Sequence, residues 1–153
     1  MPRAKVRVAV IDGQGGGIGK LIVEKLRHAI PGEEAEIIAL GTNAVATSAM
    51  LKAGANDGAT GENAVVQTVS HADIVVGTLA VVMPHSMLGE FTPAMAEAVA
   101  KSPAPKILLH LNRAGVEIVG ASREPLPHLI DMLVEQVITV IGQRKAPVIA
   151  GGR

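Results

Sequence analysis

The chain has no cysteine, tryptophan or tyrosine, and a single phenylalanine, Phe91. Without thiols there are no disulfides, no thiolate nucleophile, no iron–sulfur ligation and no cysteine zinc site. One aromatic ring gives no platform for stacked bases, and 14 basic against 14 acidic residues leave no cationic excess to attract a polyanion. Nucleic acid is therefore not expected as a partner. The longest apolar run, IVVGTLAVVMP from Ile74 to Pro84, is too short to cross a bilayer, so no membrane partner is expected either. The opening MPRAKVRVAV runs directly into DGQGGGIGK rather than into a signal-peptide core. A cytoplasmic location is expected.

What the chain does have is length for one core, 17 glycines, and a filling that is almost wholly aliphatic and methionine. A single domain over residues 1–145 and a C-terminal tail over 146–153 are expected. The apolar surplus also points to a homo-oligomer with a buried subunit interface.

Hydrophobic periodicity sets out alternating elements. Val6 to Ile11 reads as a buried strand, and Ile18, Leu21, Ile22, Leu26, Ala29 and Ile30 recur at helical spacing until Pro31-Gly32. Ala35 to Leu40 is a second strand. Asn43 is placed to cap a helix over Ala44 to Ala53 that stops at Gly54. The turn-rich ANDGATG can hide a very short strand before a helix from Glu62 to about His71. Ile74 to Thr78 and Lys106 to Leu111 are further strands, with Met83 to Ser102 mostly helical and restarting near Thr92-Pro93. Val116 to Val119 is a last strand candidate, and Leu126 to Ile141 a closing amphipathic helix. Strands separated by helices predict an α/β, Rossmann-like three-layer sandwich with a mainly parallel sheet, and place the ligand loops at the carboxyl ends of the strands.

The most telling segment follows the first strand: Asp12, Gly13, Gln14, Gly15, Gly16, Gly17, Ile18, Gly19 and Lys20. A glycine loop that opens a helix points amides into a concavity at a positive helix end, which suits phosphate or carboxylate. The partner expected there is a phosphorylated small molecule or a dinucleotide, with NAD or NADP as candidate cofactors. The spacing is not G-x-G-x-x-G, because Ile18 holds the last glycine slot counted from Gly13. Walker A spacing fails as well, with Gln14 where glycine is needed and Leu21 where Ser or Thr is needed.

Gly13, Gly17 and Gly19 instead form G-x-x-x-G-x-G, which resembles the cofactor loop of the short-chain dehydrogenase/reductase family. That resemblance implies glycines around a pyrophosphate and Ile18 packed beneath it. It does not extend to the family's chemistry. The second strand ends in Leu40-Gly41-Thr42-Asn43 with no acid for a ribose diol, and without tyrosine the Tyr-x-x-x-Lys pair is absent. Over a longer stretch, from Val6 to about Ile141, the segments IDGQGGGIG, ALGTNAVATSAMLKAGA, ATGENA and MLGEFTPAMAEA resemble an uncharacterised family of bacterial proteins of unknown function. This second resemblance implies a fold and a bacterial origin, and no mechanism.

Several other residues stand where chemistry would be expected. Asp12 ends the first strand, where a carboxylate serves a hydroxyl, a metal or the loop amides. Thr42 and Asn43 reach a ribose or phosphate, or simply cap their helix. Pro84-His85-Ser86 and Glu90 follow the central strand, with His85 as a candidate proton donor and Ser86 and Glu90 as substrate contacts. Asn112 and Arg113 follow another strand, Arg113 as an anion clamp. The five histidines show no H-E-x-x-H or other close ligand set, so no metal site is expected, although Asp12 or Glu90 can take Mg2+ brought by a phosphorylated ligand. A non-enzymatic ligand sensor or structural subunit is the competing class, suggested by Met83, Met87 and Met95.

Overall fold

The structure, a computed structural model, describes residues 4–111 and 115–145. In chain order the elements are β1 (Val6–Asp12), α1 (Gly17–Ala29), β2 (Ala35–Gly41), α2 (Ala44–Lys52), β3 (Asp57–Thr60), α3 (Glu62–Val69), β4 (Ile74–Thr78), a short 3-10 turn (Leu79–Val82), α4 (Pro93–Lys101), β5 (Lys106–Leu109) and α5 (Leu126–Lys145). All strand pairs are parallel, in the order β3-β2-β1-β4-β5. This is the α/β sandwich that the alternation of strands and helices predicts.

Period-two alternation explains why both faces are covered. Val8, Val10, Ile37, Ala39, Ile74 and Val76 point into one core with Ile22, Val23 and Leu26 of α1, Met50 of α2, and Ile130, Leu133, Val134 and Val137 of α5. The intervening Ala9, Ile11, Ile38, Leu40 and Val75 point into the other, against Val65 and Val69 of α3 and Met95 and Val99 of α4. Each large aliphatic side chain so buried stabilises the fold by about 1.5–3 kcal/mol. The one aromatic ring, Phe91, is fully buried in the second core, so it holds the segment leading into α4 rather than any ligand.

Three expectations need correction. Residues 84–90 form successive turns rather than helix. Pro84 lacks an N–H and pushes Met83 to an extended conformation, and His85, Met87 and Leu88 then take positive φ values of 67°, 58° and 55°. The helix begins only at Pro93, capped by Thr92. Val116 to Val119 is not a strand: Val119 is fully exposed, and Gly115 and Gly120 on either side are both left-handed. Its β-prone residues find no strand to pair with, and a lone strand is not stable. Finally, β5 ends at Leu109, short of Leu111. The short strand that ANDGATG left open is real and forms the edge strand β3.

No helix among the described residues is long and apolar enough to cross a membrane.

Candidate functional site

Strand order reverses direction at β1, with β2 on one side and β4 on the other, so the loops after β1 and β4 part and leave a crevice at their carboxyl ends. Asp12, the last residue of β1, stands at its floor. Its Oδ1 accepts from the Gly13 amide at 2.8 Å and its Oδ2 from the Gly19 amide at 2.7 Å. The carboxylate thus closes the glycine loop on itself and caps the third residue of α1. Burial raises the Asp12 pKa; the two amides pull it down, and the nearby Glu90 charge adds to the rise.

The glycines divide by what surrounds them. Gly16 sits at φ 73°, and a Cβ there would stand 2.7 Å from the Ala46 backbone of α2. A Cβ on Gly19 would meet Met50 Sδ at 2.7 Å and Asp12 Cβ at 2.8 Å, so glycine allows α1 to lie against the sheet. On Gly13 it would meet Thr42 Oγ1 at 2.5 Å and Met87 Sδ at 2.6 Å. Gly15 and Gly17 differ: neither has a positive φ, and a Cβ on either would meet nothing within 4 Å. Packing does not require glycine at these two positions.

The amides divide in the same way. Those of Gly13 and Gly19 go to Asp12, that of Gln14 to Glu90 Oε1 at 2.9 Å, and that of Gly16 to the Gly13 carbonyl at 2.9 Å. The expectation that the whole loop faces an outside anion is corrected here: two of the chain's own carboxylates take three of its amides. The amides of Gly15, Gly17 and Ile18 have no acceptor among the described residues. Gly15, Gly17 and Lys20 are exposed, and Lys20 forms no ion pair among the described residues.

At the end of β2, Asn43 serves two neighbours. Its Oδ1 caps α2 by accepting from Ala46 N at 2.9 Å, while its Nδ2 donates to the Gln14 carbonyl at 2.9 Å and to Glu90 Oε1 at 2.8 Å. Thr42 Oγ1 donates to the same Glu90 oxygen at 2.6 Å. The Thr42 hydroxyl, then the Gln14 and Asn43 N–H groups, hold the half-buried Glu90 carboxyl below its ordinary range. Glu90 ends the turn segment whose three non-glycine positive φ values are each unfavourable by about 1–3 kcal/mol. That segment persists because it is tied down at both ends: His85 N donates to Phe91 O, and Ser86 Oγ to Ala80 O at 2.7 Å.

Between the glycine loop and this segment lies a cleft of about 230 Å3 with mostly apolar walls. Ile18, Leu79, Met83 and Met87 supply the walls, and Asp12, Thr78, Ser86 and His110 the polar edges. His110 and Leu111 also border a more open recess of about 490 Å3, walled by residues 117–124 and Leu129.

Of the residues singled out from sequence, Asp12, Gln14, Ile18 and Ser86 line the cleft, while Thr42, Asn43 and Glu90 form one cluster beside it. His85 is exposed and is not among the lining residues. Asn112 and Arg113 lie outside the described residues. Thr78, Leu79 and Val116 line the cleft without having been singled out as site residues, because a threonine at a strand end and isolated aliphatic residues carry no signature that separates them from ordinary packing. Thr60 is engaged by Thr47, and Glu62 accepts from Thr92 Oγ1, so both hold the fold together. Among the described residues no three His, Asp or Glu side chains gather in a way that would hold a metal.

Fold and site together define a three-layer parallel α/β protein with a cleft at its strand-order reversal. The chain belongs to the family described as a domain of unknown function, DUF3842, whose profile matches residues 7–142. No curated protein matches it. Among solved structures it is similar to AibC, at TM-score 0.48 and 15% identity over 95% of this chain, spanning 51% of that one. It is also similar to a universal stress protein in complex with cAMP, at TM-score 0.40 and 18% identity over 70% of this chain and 98% of that one. A third is an AdoMet-bound rRNA methyltransferase from Sinorhizobium meliloti, at TM-score 0.42 and 13% identity over 95% of this chain and 59% of that one. No ligand or activity carries over from these to this chain.

Proposed function

We propose that the chain binds a nucleotide-type metabolite. Its phosphate would meet the amides of Gly15, Gly17 and Ile18 with Lys20 alongside, and its nucleoside part would lie in the cleft against Ile18, Leu79, Met83 and Met87. The observation that carries this reading is the pair Gly15 and Gly17. Among the described residues their amides have no acceptor and a Cβ on either would meet no atom within 4 Å, and they stand at the start of α1. Gly17 is the first residue of α1 and Gly15 lies in the turn before its cap Gly16, and neither packing among the described residues nor a positive φ calls for glycine at either.

Magnitude favours a ligand smaller than a whole NAD(P). Pockets for small molecules and cofactors run from about 300 to 1,000 Å3, whereas the cleft is about 230 Å3. A mononucleotide would extend from the cleft into the open recess beyond His110. NAD(P) binding, the larger version of this reading, finds no acid of β2's own to grip a ribose diol, and the carboxylate seated at that end, Glu90, has its Oε1 taken by Gln14, Thr42 and Asn43.

Capture rather than turnover is the reading these groups favour. Three of the polar side chains that line the cleft are engaged by backbone: Asp12 by Gly13 and Gly19, Thr78 by Ala80 N, and Ser86 by Ala80 O. A sensor or assembly subunit is consistent with that, and the exposed Leu88, Ile118, Val119 and Met132 support a homo-oligomer. Calorimetry against AMP, ATP, NADH, NADPH and inorganic phosphate tests the reading. Binding of AMP-class ligands is expected, and no heat from any of them at millimolar concentration would overturn it.

A further inference from the structure

The crevice has two sides, and they are unequal. In dinucleotide-binding folds the side at the end of the second strand receives one nucleoside. Here that side offers three donors: the Gln14 N–H, the Thr42 hydroxyl and the Asn43 side-chain amide. All three converge on one atom, Glu90 Oε1, at 2.9, 2.6 and 2.8 Å. Glu90 arrives from the segment after β4. Met87 Sδ, from that same segment, lies 2.6 Å from the point a Cβ on Gly13 would occupy, and Glu90 Oε1 lies 3.3 Å from it. The segment is therefore seated directly on the loop, above the gap between β1 and β2. Toward β5, by contrast, His110 and Leu111 border both the cleft and the more open recess.

Resting on the binding reading above, we infer that Glu90 is a specificity-determining residue: by occupying the donors at the β2 end it confines the ligand to the β4–β5 side and excludes molecules with a second nucleoside. A ligand oxygen that sought those donors would compete with a carboxylate tethered in place, whose effective concentration is far above that of any free metabolite. The Gly15, Gly17 and Ile18 amides are untouched by Glu90, so a mononucleotide keeps its phosphate contacts. If Glu90 were only a brace for the turn segment, its removal would change stability and leave ligand selectivity where it was.

The test is calorimetry on the full chain as wild type, Glu90→Ala and Glu90→Gln, with AMP, NADH and inorganic phosphate as probes and circular dichroism as the check of folding. Glu90→Ala is expected to raise NADH affinity relative to AMP by about tenfold or more, the scale of one charge-assisted contact. AMP affinity should itself stay within about threefold, well under that scale. Glu90→Gln keeps an acceptor oxygen and is expected to follow the wild type. A folded Glu90→Ala protein with an unchanged NADH-to-AMP ratio overturns the inference. So does a Glu90→Gln protein that gains as much as Glu90→Ala, since charge repulsion rather than occupancy would then be the cause. If Glu90→Ala does not fold, Glu90→Ser keeps a small polar side chain but withdraws the carboxylate from all three donors, and the same ratio is expected to move in the same direction; no movement overturns the inference. Should neither wild type nor variant bind any probe, the binding reading and this one fall together. If wild type binds AMP and the ratio does not move, only this one falls.

Discussion

Asp12 and Gly19 are joined by a hydrogen bond of 2.7 Å from the Gly19 amide to Oδ2, which ties the end of β1 to the first turn of α1 seven residues later. The other carboxylate oxygen holds Gly13. Asp12→Ala leaves two loop amides without acceptors, and a loss of about 1–3 kcal/mol is expected. Asp12→Asn restores one acceptor and is expected to lose less. Urea unfolding of the two variants beside wild type measures both; equal losses would show that the second hydrogen bond contributes nothing.

The glycines give a contrast that separates ligand geometry from packing. Gly15→Ala and Gly17→Ala place a methyl group in open space, so stability is expected to hold or rise by about 0.4–1 kcal/mol through the unfolded chain. The same methyl obstructs a phosphate at the amides, and AMP affinity is expected to fall by about tenfold, the factor that 1.4 kcal/mol represents. Gly19→Ala drives a Cβ against Asp12 and Met50 and is expected to lose about 1–3 kcal/mol. Thermal melts paired with calorimetry distinguish the three.

Asn43→Asp separates two roles of one side chain. The new carboxylate still accepts from Ala46 N, so the α2 cap survives, but it cannot donate to the Gln14 carbonyl and it faces Glu90 with like charge. Helix content by circular dichroism should be preserved while amide exchange at Gln14 quickens. Asn43→Ala loses the cap as well and is expected to unfold more easily by about 1 kcal/mol further.

Glu90 has a pH signature. Its folded pKa is depressed below the ordinary 4.5, chiefly by the Thr42 hydroxyl. The stability it contributes is therefore fully present above 4.5 and is lost as pH falls through the lower folded value. Asp12 runs the opposite way: its pKa is raised, so the folded state favours the proton, and its contribution improves on acidification. The difference in urea midpoint between wild type and Glu90→Gln, each in an Asp12→Asn background, is expected to shrink as pH drops from about 7 to about 3. A difference that stayed constant would remove the carboxylate from the contact.

His85 is exposed, outside the cleft, and held at φ 67°. His85→Asn places there a residue that tolerates left-handed backbone, and it is expected to leave ligand affinity unchanged with stability equal or higher. A loss of binding, read by the same calorimetry, would bring His85 back to the site.

The elements with strong periodicity were legible in the sequence. Val6–Asp12, Ala35–Gly41 and Ile74–Thr78 are short aliphatic runs bounded by turn residues, and Asn43 announces α2 by its capping chemistry. Asp57–Thr60 was hard to see because DGAT has no apolar alternation; it is an edge strand held by its neighbour. Residues 84–90 read as helix because Met83 and Met87 are one turn apart, yet both line a cleft rather than a helix face. The glycine loop was visible, while its occupants were only half visible. Asp12 is adjacent in sequence, but Glu90 reaches Gln14 across 76 positions, and pairing over that separation leaves no local pattern.

The position of β1 between β2 and β4 has a consequence for the growing chain. Once residues as far as Thr60 have left the ribosome, β1, β2 and β3 can assemble with α1 and α2, but the other margin of β1 has nothing beside it until Ile74–Thr78 emerges. In that interval Val8, Ala9 and Val10 present a bare, aliphatic template to any extended peptide nearby. A chaperone that covers extended aliphatic segments would find its target in this nascent half-sheet.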